Sequence, residues 1–140
     1  MLVAIVIGAM LVSLAALSLR PDPHRALRQQ AERLALLFET AADEAQLRAR
    51  PLRWQSVKGG YRFLVRDGEQ WRVLHDDLLR PRAWEGEVRS ATVRVPGEAA
   101  RAELLFGTES IGEPAGVTLV ADSGTVRIVT RGDGRYEVAP

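Results

Sequence analysis

The chain has no cysteine. That excludes a disulfide-stapled scaffold, thiolate catalysis and a Cys-ligated metal, and leaves the compartment open. Histidine is almost missing: His24 lies in a proline-interrupted stretch and His75 opens an HDD turn. With no second histidine near either, a zinc site would have to recruit distant carboxylates, so no metal centre is expected. Lysine occurs once, as Lys58, and the remaining 18 of the 19 basic residues are arginine. An excess of either charge is lacking as well. The net charge over 140 residues is +1, which gives no reason to expect a nucleic-acid partner.

Charge is also missing from one whole stretch. Residues 1–19, MLVAIVIGAMLVSLAALSL, hold none of the 19 Lys and Arg or the 18 Asp and Glu. The mean hydropathy near zero therefore averages a lipid-like end with a water-soluble remainder. As a helix the run would measure roughly 28 Å, close to the apolar thickness of a bilayer. Only Gly8, Ser13 and Ser18 relieve its apolar surface, whereas a soluble helix would show a polar stripe. The sequence predicts a membrane-inserted anchor or signal here.

Pro21 and Pro23 end or kink that run. From His24 to Arg50 a helical period returns, with Leu27, Leu34, Phe38, Ala41 and Ala45 on one stripe and Ala31 and Leu37 at its borders. The opposite face carries Arg28, Glu32, Arg33, Glu39, Asp43, Glu44 and Arg48, and Pro51 stops the helix. The stripe needs a partner, and its alanines permit close approach to a sheet. Beyond Pro51 the period falls to two. Leu52–Val57 and Tyr61–Arg66 flank a Lys58-Gly59-Gly60 turn, and Asp67-Gly68 leads into Gln70–Leu74, which together predict a three-stranded meander. Alternation sets Tyr61, Phe63 and Val65 on the core side, with Trp71 and Val73 facing the same core.

Residues 75–87 read as an irregular bridge anchored by Leu78 and Leu79. Further strands are expected at Val88–Val95, Ala102–Phe106, Gly116–Val120, Thr125–Thr130 and Arg135–Val138, with 107–116 as the longest loop. The outline is an apolar helix, an amphipathic helix, and about eight strands in two sheets.

A search for chemistry returns little. Three successive residues, His75, Asp76 and Asp77, do not share a face, and no nucleophile can be tied to them. Gly59-Gly60 lacks the Lys-Ser/Thr and helix of a phosphate loop. Asp122-Ser123-Gly124 and Arg131-Gly132-Asp133-Gly134 read as tight turns. Trp54, Trp71 and Trp84 with Tyr61 and Phe63 could suggest a sugar or base platform, but alternation assigns Trp71, Tyr61 and Phe63 to the core. No catalytic, cofactor-binding or metal residue is expected, and no small-molecule substrate.

Certain stretches resemble a known family. MLVAIVIGAMLVSLAAL is similar to the apolar first helix of type IV pilins and type II secretion pseudopilins. ERLALLFETAADEAQLRARPL, residues 32–52, resembles the following helix of the H-type minor pseudopilins of the general secretion pathway, notably Ala42-Asp43-Glu44-Ala45 and then Arg50-Pro51-Leu52. GGYRFLVRDGEQWRVLHDDLLRPRAW, residues 59–84, continues it through Trp71, Asp77-Leu78-Leu79-Arg80 and Arg82. Leu104-Leu105-Phe106, Pro114 and residues 117–124 fit more loosely.

The resemblance implies an α+β, pilin-like fold: a long N-terminal helix, membrane-spanning in its first half, packed on an antiparallel β domain of two small sheets. Residues 1–19 would be the transmembrane and filament-core helix, 20–50 its amphipathic continuation, and 51–140 a periplasmic head. It implies a non-enzymatic minor subunit of the type II secretion pseudopilus, a single-pass inner-membrane protein inserted before assembly. The implied partners are other major and minor pseudopilins and the inner-membrane secretion platform. In that family a basic leader, a cleavage-site glycine and a phenylalanine-threonine-leucine-isoleucine-glutamate segment precede the apolar helix, so the true start is expected upstream of Met1. Two other readings remain: a type IV pilus minor pilin, conceivably linked to DNA uptake, and a signal-anchored periplasmic binding domain cleaved near Ala16-Leu17-Ser18.

Overall fold

The single helix of the described residues, α1, spans Pro23–Arg48. The structure is a computed structural model that describes residues 22–76 and 78–140. Asp22 caps the helix from an extended backbone, its carboxylate accepting from the His24 N–H at 3.1 Å. Pro23 follows at the first helical position, where its missing N–H costs nothing. At the other end Ala49 turns left-handed at φ 51°, and the Arg50 N–H closes on the Ala45 carbonyl at 3.1 Å. The expected helix over 24–50 is present with nearly the same ends.

The predicted stripe is the buried one. Leu27, Ala31, Leu34, Leu37, Phe38, Ala41 and Ala45 are all buried, joined by Gln30, Ala35 and Ala42. The solvent face keeps eight charged side chains, among them Arg28, Glu32, Asp43 and Glu44. This composition corrects one expectation. No helix among the described residues is long and apolar enough to cross a membrane, so a long helix with a membrane-spanning first half, and the single-pass placement built on it, are not what the structure provides. Residues 1–19, on which that expectation stood, lie outside the described residues.

Among the described residues nine strands follow in two antiparallel sheets. In the first sheet, β1 (Leu52–Val57), β2 (Gly60–Asp67), β3 (Gln70–Val73) and β6 (Glu103–Phe106) run in the order β3-β2-β1-β6. A two-residue strand, β4 (Arg82–Ala83), shares the β2 edge with β3 by pairing Gly60 with Ala83. In the second sheet the order is β5-β7-β8-β9, from Val88–Arg94, Ala115–Ala121, Gly124–Thr130 and Glu137–Val138. The meander is as expected, and so is the two-sheet pilin-like α+β arrangement. The chain leaves the second sheet once, sending β6 back to pair with β1, Trp54 opposite Leu104.

Register changes one group of core residues. Asp67 pairs with Gln70, so the β2–β3 loop is only Gly68-Glu69. Residues opposite each other share a face, which puts Trp71 beside Arg66 and Val73 beside Leu64 on the outer side. The expectation that both face the core is therefore wrong by one residue of register, and a side-chain period of two turns that into the opposite face. Leu74 takes the inward place instead, its N–H donating to the Phe63 carbonyl at 2.9 Å. In the bridge, Leu79 is buried as expected, whereas Leu78 is exposed.

The core is one layer between helix and sheets. α1 packs on β1 and β6 of the first sheet and on β8 and β9 of the second. Phe38, fully buried, stands at the centre, with ring centroids at 5.2 Å to Trp54, 6.4 Å to Phe63, 5.8 Å to Phe106 and 5.3 Å to Tyr136. Helix and strands thus share a single hydrophobic cluster.

Candidate interaction surface

The residues with chemical potential are spent on structure. His24 is exposed in the first turn of α1, and His75 follows β3. Asp76 accepts from the Arg48 guanidinium at 3.0 Å, and Glu44 holds the same arginine at 2.8 Å. These two hydrogen bonds raise the Arg48 pKa above its usual value and tie the bridge to the helix end. Asp77 lies outside the described residues. Among the described residues, no three His, Asp or Glu side chains gather as metal ligands would.

The glycine turns are equally occupied. Asp133 accepts from the Arg135 N–H at 3.1 Å, and Thr130 Oγ1 accepts from the Gly132 N–H at 3.1 Å. The Gly132 carbonyl accepts from the Gly112 N–H at 2.7 Å, so the 131–134 turn holds the 107–114 loop. Gly132 is buried there with φ +95°, and a Cβ would collide with the Gly112 carbonyl. Asp122, in the other turn, pairs with Arg89 at 2.7 Å.

The aromatic residues do not form a platform. Trp54 is fully buried beside Phe38, while Trp84 is half-buried against Tyr61 with centroids at 4.8 Å. Burial pushes the Tyr61 hydroxyl pKa up and that of Tyr136 to about 12, with Asp133 and Glu39 adding to the latter. Both phenols are therefore neutral packing groups. Trp71 alone lies on the outer side of the first sheet, under the Arg53 guanidinium at 4.1 Å.

Buried polar pairing also fixes the start of the helix. In the amide orientation that satisfies both partners, Gln30 donates to the Glu85 carbonyl and accepts from the Glu85 N–H at 3.0 Å. Arg33 adds an ion pair to the Glu85 carboxylate at 2.9 Å. A cleft of about 270 Å³ opens beside these groups, floored by Leu27, Val88 and Ala121. No sequence pattern marks this pin, because a glutamine among charged neighbours reads as solvent-facing.

What remains is surface that is apolar without being covered. Leu36 (64% exposed) and Leu47 (81%) lie on the outer side of α1, and Ile111 (79%) tops the 107–114 loop. Leu105 (54%) points outward from the edge strand β6 into that loop's neighbourhood. Ala42 and Gln46 of the helix line the same cleft as Gly107 and Gly112. Single exposed leucines are ordinary on a protein surface. The 107–114 loop, the edge strand β6 and the end of α1 meet at that cleft, with Leu105 lining it and Ile111 exposed on the adjoining loop.

The model of a family described as type II transport protein GspH matches residues 30–134. Among solved structures, the solution structure of E. coli GspH is similar in fold, with a TM-score of 0.63 and 16% identity. The similarity covers 82% of this chain and 88% of that one. No curated protein sequence matches the chain.

Proposed function

Because the chain belongs to the type II transport protein GspH family, as a non-enzymatic minor pseudopilin subunit of the type II secretion pseudopilus, we propose that it meets neighbouring subunits through the 107–114 loop and the adjoining end of α1. The observation that carries this reading is Ile111, a large apolar side chain held outward at the tip of a loop that is itself fixed. The Gly112–Gly132 hydrogen bond anchors the loop one residue beyond Ile111, and Gly132 leaves no room there for a Cβ. A pre-formed loop loses little conformational entropy on docking, so its apolar contact is available for binding rather than for ordering. The partners in this reading are other major and minor pseudopilins and the inner-membrane secretion platform.

The experiment is complementation of a deletion strain, scored by exoprotein release. The wild-type chain should restore release, and Ile111→Asp should reduce it severalfold at equal protein level. Crosslinks from a photoreactive residue at Ser110 to other pseudopilins should fall in parallel. Full release from the Ile111→Asp strain, with those crosslinks intact, would overturn the loop's role.

A further inference from the structure

The outer face of the first sheet has an organisation that solvent exposure alone does not call for. The solvated face of an antiparallel sheet alternates to polar residues. Here the register sets Leu105, Arg53, Leu64 and Val73 side by side across all four long strands, an apolar row with one arginine in it. Arg53 lies along this row. Its guanidinium carbon is 4.1 Å from the Trp71 ring centroid and its Nη1 is 3.5 Å from the Glu103 carboxylate. Leu64 stays buried on this outer side.

The charges of the face do not balance. Glu103 is the acid among its strand side chains, and it is engaged twice, by Arg53 and by the Gln55 amide at 2.9 Å. Gln55 in turn accepts from Arg62 Nε at 2.7 Å. Asp67, at the end of β2, is taken up by Arg50 and Arg72. Among the described residues no carboxylate lies within ion-pair distance of Arg62 or Arg66, whose recorded partners are the Gln55 oxygen and the Gly68 carbonyl. Three guanidiniums therefore face outward against one occupied carboxylate, in a chain whose total is +1. Arg62 and Arg66 bracket Leu64 on the same strand, about 13 Å apart at strand rise.

We propose that this face is a docking surface for an acidic extended segment of a partner protein. In that segment two carboxylates four residues apart meet Arg62 and Arg66, and an apolar side chain between them rests on the half-buried Val73 and the neighbouring Trp71. Spacing and charge fit together: in an extended chain, residues i, i+2 and i+4 share one side. Trp71 and Arg53, both held in place, belong to the residue types that anchor protein interfaces. The inference rests on the pseudopilin reading only for where the partner is sought, a neighbouring subunit of the assembly.

The first test uses the full chain in detergent and a labelled peptide of sequence Glu-Thr-Leu-Thr-Glu, followed by fluorescence anisotropy. Saturable binding is expected. It should weaken about tenfold, the scale of one close charge pair, in Arg62→Glu/Arg66→Glu and when the peptide's Glu residues become Gln. Arg131→Glu, on the distant turn, should leave it unchanged. Binding that is absent, equal for the Gln peptide, or equally sensitive to Arg131→Glu would overturn the proposal. This readout does not pass through secretion, so its failure is distinct from failure of the pseudopilin reading. The second test places a photocrosslinker at Val73 in secreting cells. An adduct within a segment carrying paired carboxylates, lost on the Arg62/Arg66 reversal and restored when those carboxylates become Arg, supports the proposal. An adduct to a second copy of this chain, to lipid or to a segment without carboxylates overturns it.

Discussion

Replacing Phe38 by alanine tests whether the two sheets and the helix share one core. The ring is fully buried and has four aromatic neighbours within 6.4 Å, three on the first sheet and Tyr136 just before β9 of the second. Phe→Ala in a packed core costs roughly 3–5 kcal/mol, set by lost transfer energy and the cavity left behind. Edge-to-face partners add about 0.5–1.5 kcal/mol per good pair, which places this site at the upper end. The cavity cannot close easily, because its walls are rings on paired strands. The expected loss is about 4–5 kcal/mol, a large share of the roughly 5–15 kcal/mol typical of a folded domain. Phe38→Leu, which keeps most of the volume, should cost only about 1–2 kcal/mol. Urea unfolding by tryptophan fluorescence and by far-ultraviolet circular dichroism provides the measurement. Both probes should move together, since Trp54 reports the first sheet while dichroism reports the whole. A loss below about 1 kcal/mol for Phe38→Ala, or a fluorescence transition separated from the dichroism transition, would refute the single-core argument.

Three further outcomes follow from local geometry. Gly60→Ala would drive a Cβ into the Arg82 backbone carbonyl, which cannot swing aside, so β4 should detach at a cost of about 1–3 kcal/mol by urea unfolding; Gly107→Ala, with open space around it, should be near neutral. Asp22→Ala removes the acceptor for the His24 N–H and should destabilise by about 1 kcal/mol, whereas Asp22→Asn should recover most of it in the same assay. Tyr136 has its pKa raised from 10 to about 12, so the folded state keeps a proton that the unfolded state releases. Stability from this group is complete below pH 10 and falls as pH rises from 10 towards 12; Tyr136→Phe should flatten that decline in denaturation measured across this range, and an unchanged slope would discount burial of the phenol.

The sequence carried the helix because several independent signals agreed: the Leu27–Ala45 stripe, the prolines at both ends and a helix-favouring composition. Strands flanking glycine turns were legible for the same reason, and the ends of β1 fell where alternation put them. What the sequence could not decide was which strand lies beside which. Leu104-Leu105-Phe106 reads as one more strand of the second block, yet it pairs with β1 some fifty residues earlier, with Trp54 opposite Leu104. Face assignment across a tight turn was equally undetermined. Trp71 and Val73 look like core residues by type, and only the Asp67–Gln70 pairing turns them outward. The surface followed the same logic. Ile111 and Leu105 carry no motif, and their significance comes from exposure beside a fixed loop. The sheet face was hidden because Arg53, Arg62 and Arg66 look like ordinary solvent residues until register sets them around Leu64.

A subunit that works by assembly needs a rigid body more than a reactive group, and α1 supplies the rigidity by belonging to both sheets at once. Its alanines, Ala31, Ala41 and Ala45, are fully buried, so the helix backbone sits close to the strands beneath. Polar contacts pin both ends: Gln30 and Arg33 to Glu85 near the start, and Arg48, itself held by Glu44, to Asp76 at the finish. The ion pairs are largely exposed and contribute little stability individually. They join the helix to two different segments, Asp76 just after β3 and Glu85 just after β4. The helix and both sheets share one hydrophobic cluster. Leu36 and Leu47 on the outer side of α1, Ile111 at the loop and Arg62 with Arg66 on the outer face of the first sheet are all carried by elements built on this one core. Neighbours that contact them meet a template whose spacing is set by the core. Specificity in such an assembly comes from matching several weak contacts at once, since a partner that fits one surface but misses the spacing of the next gains only a fraction of the free energy.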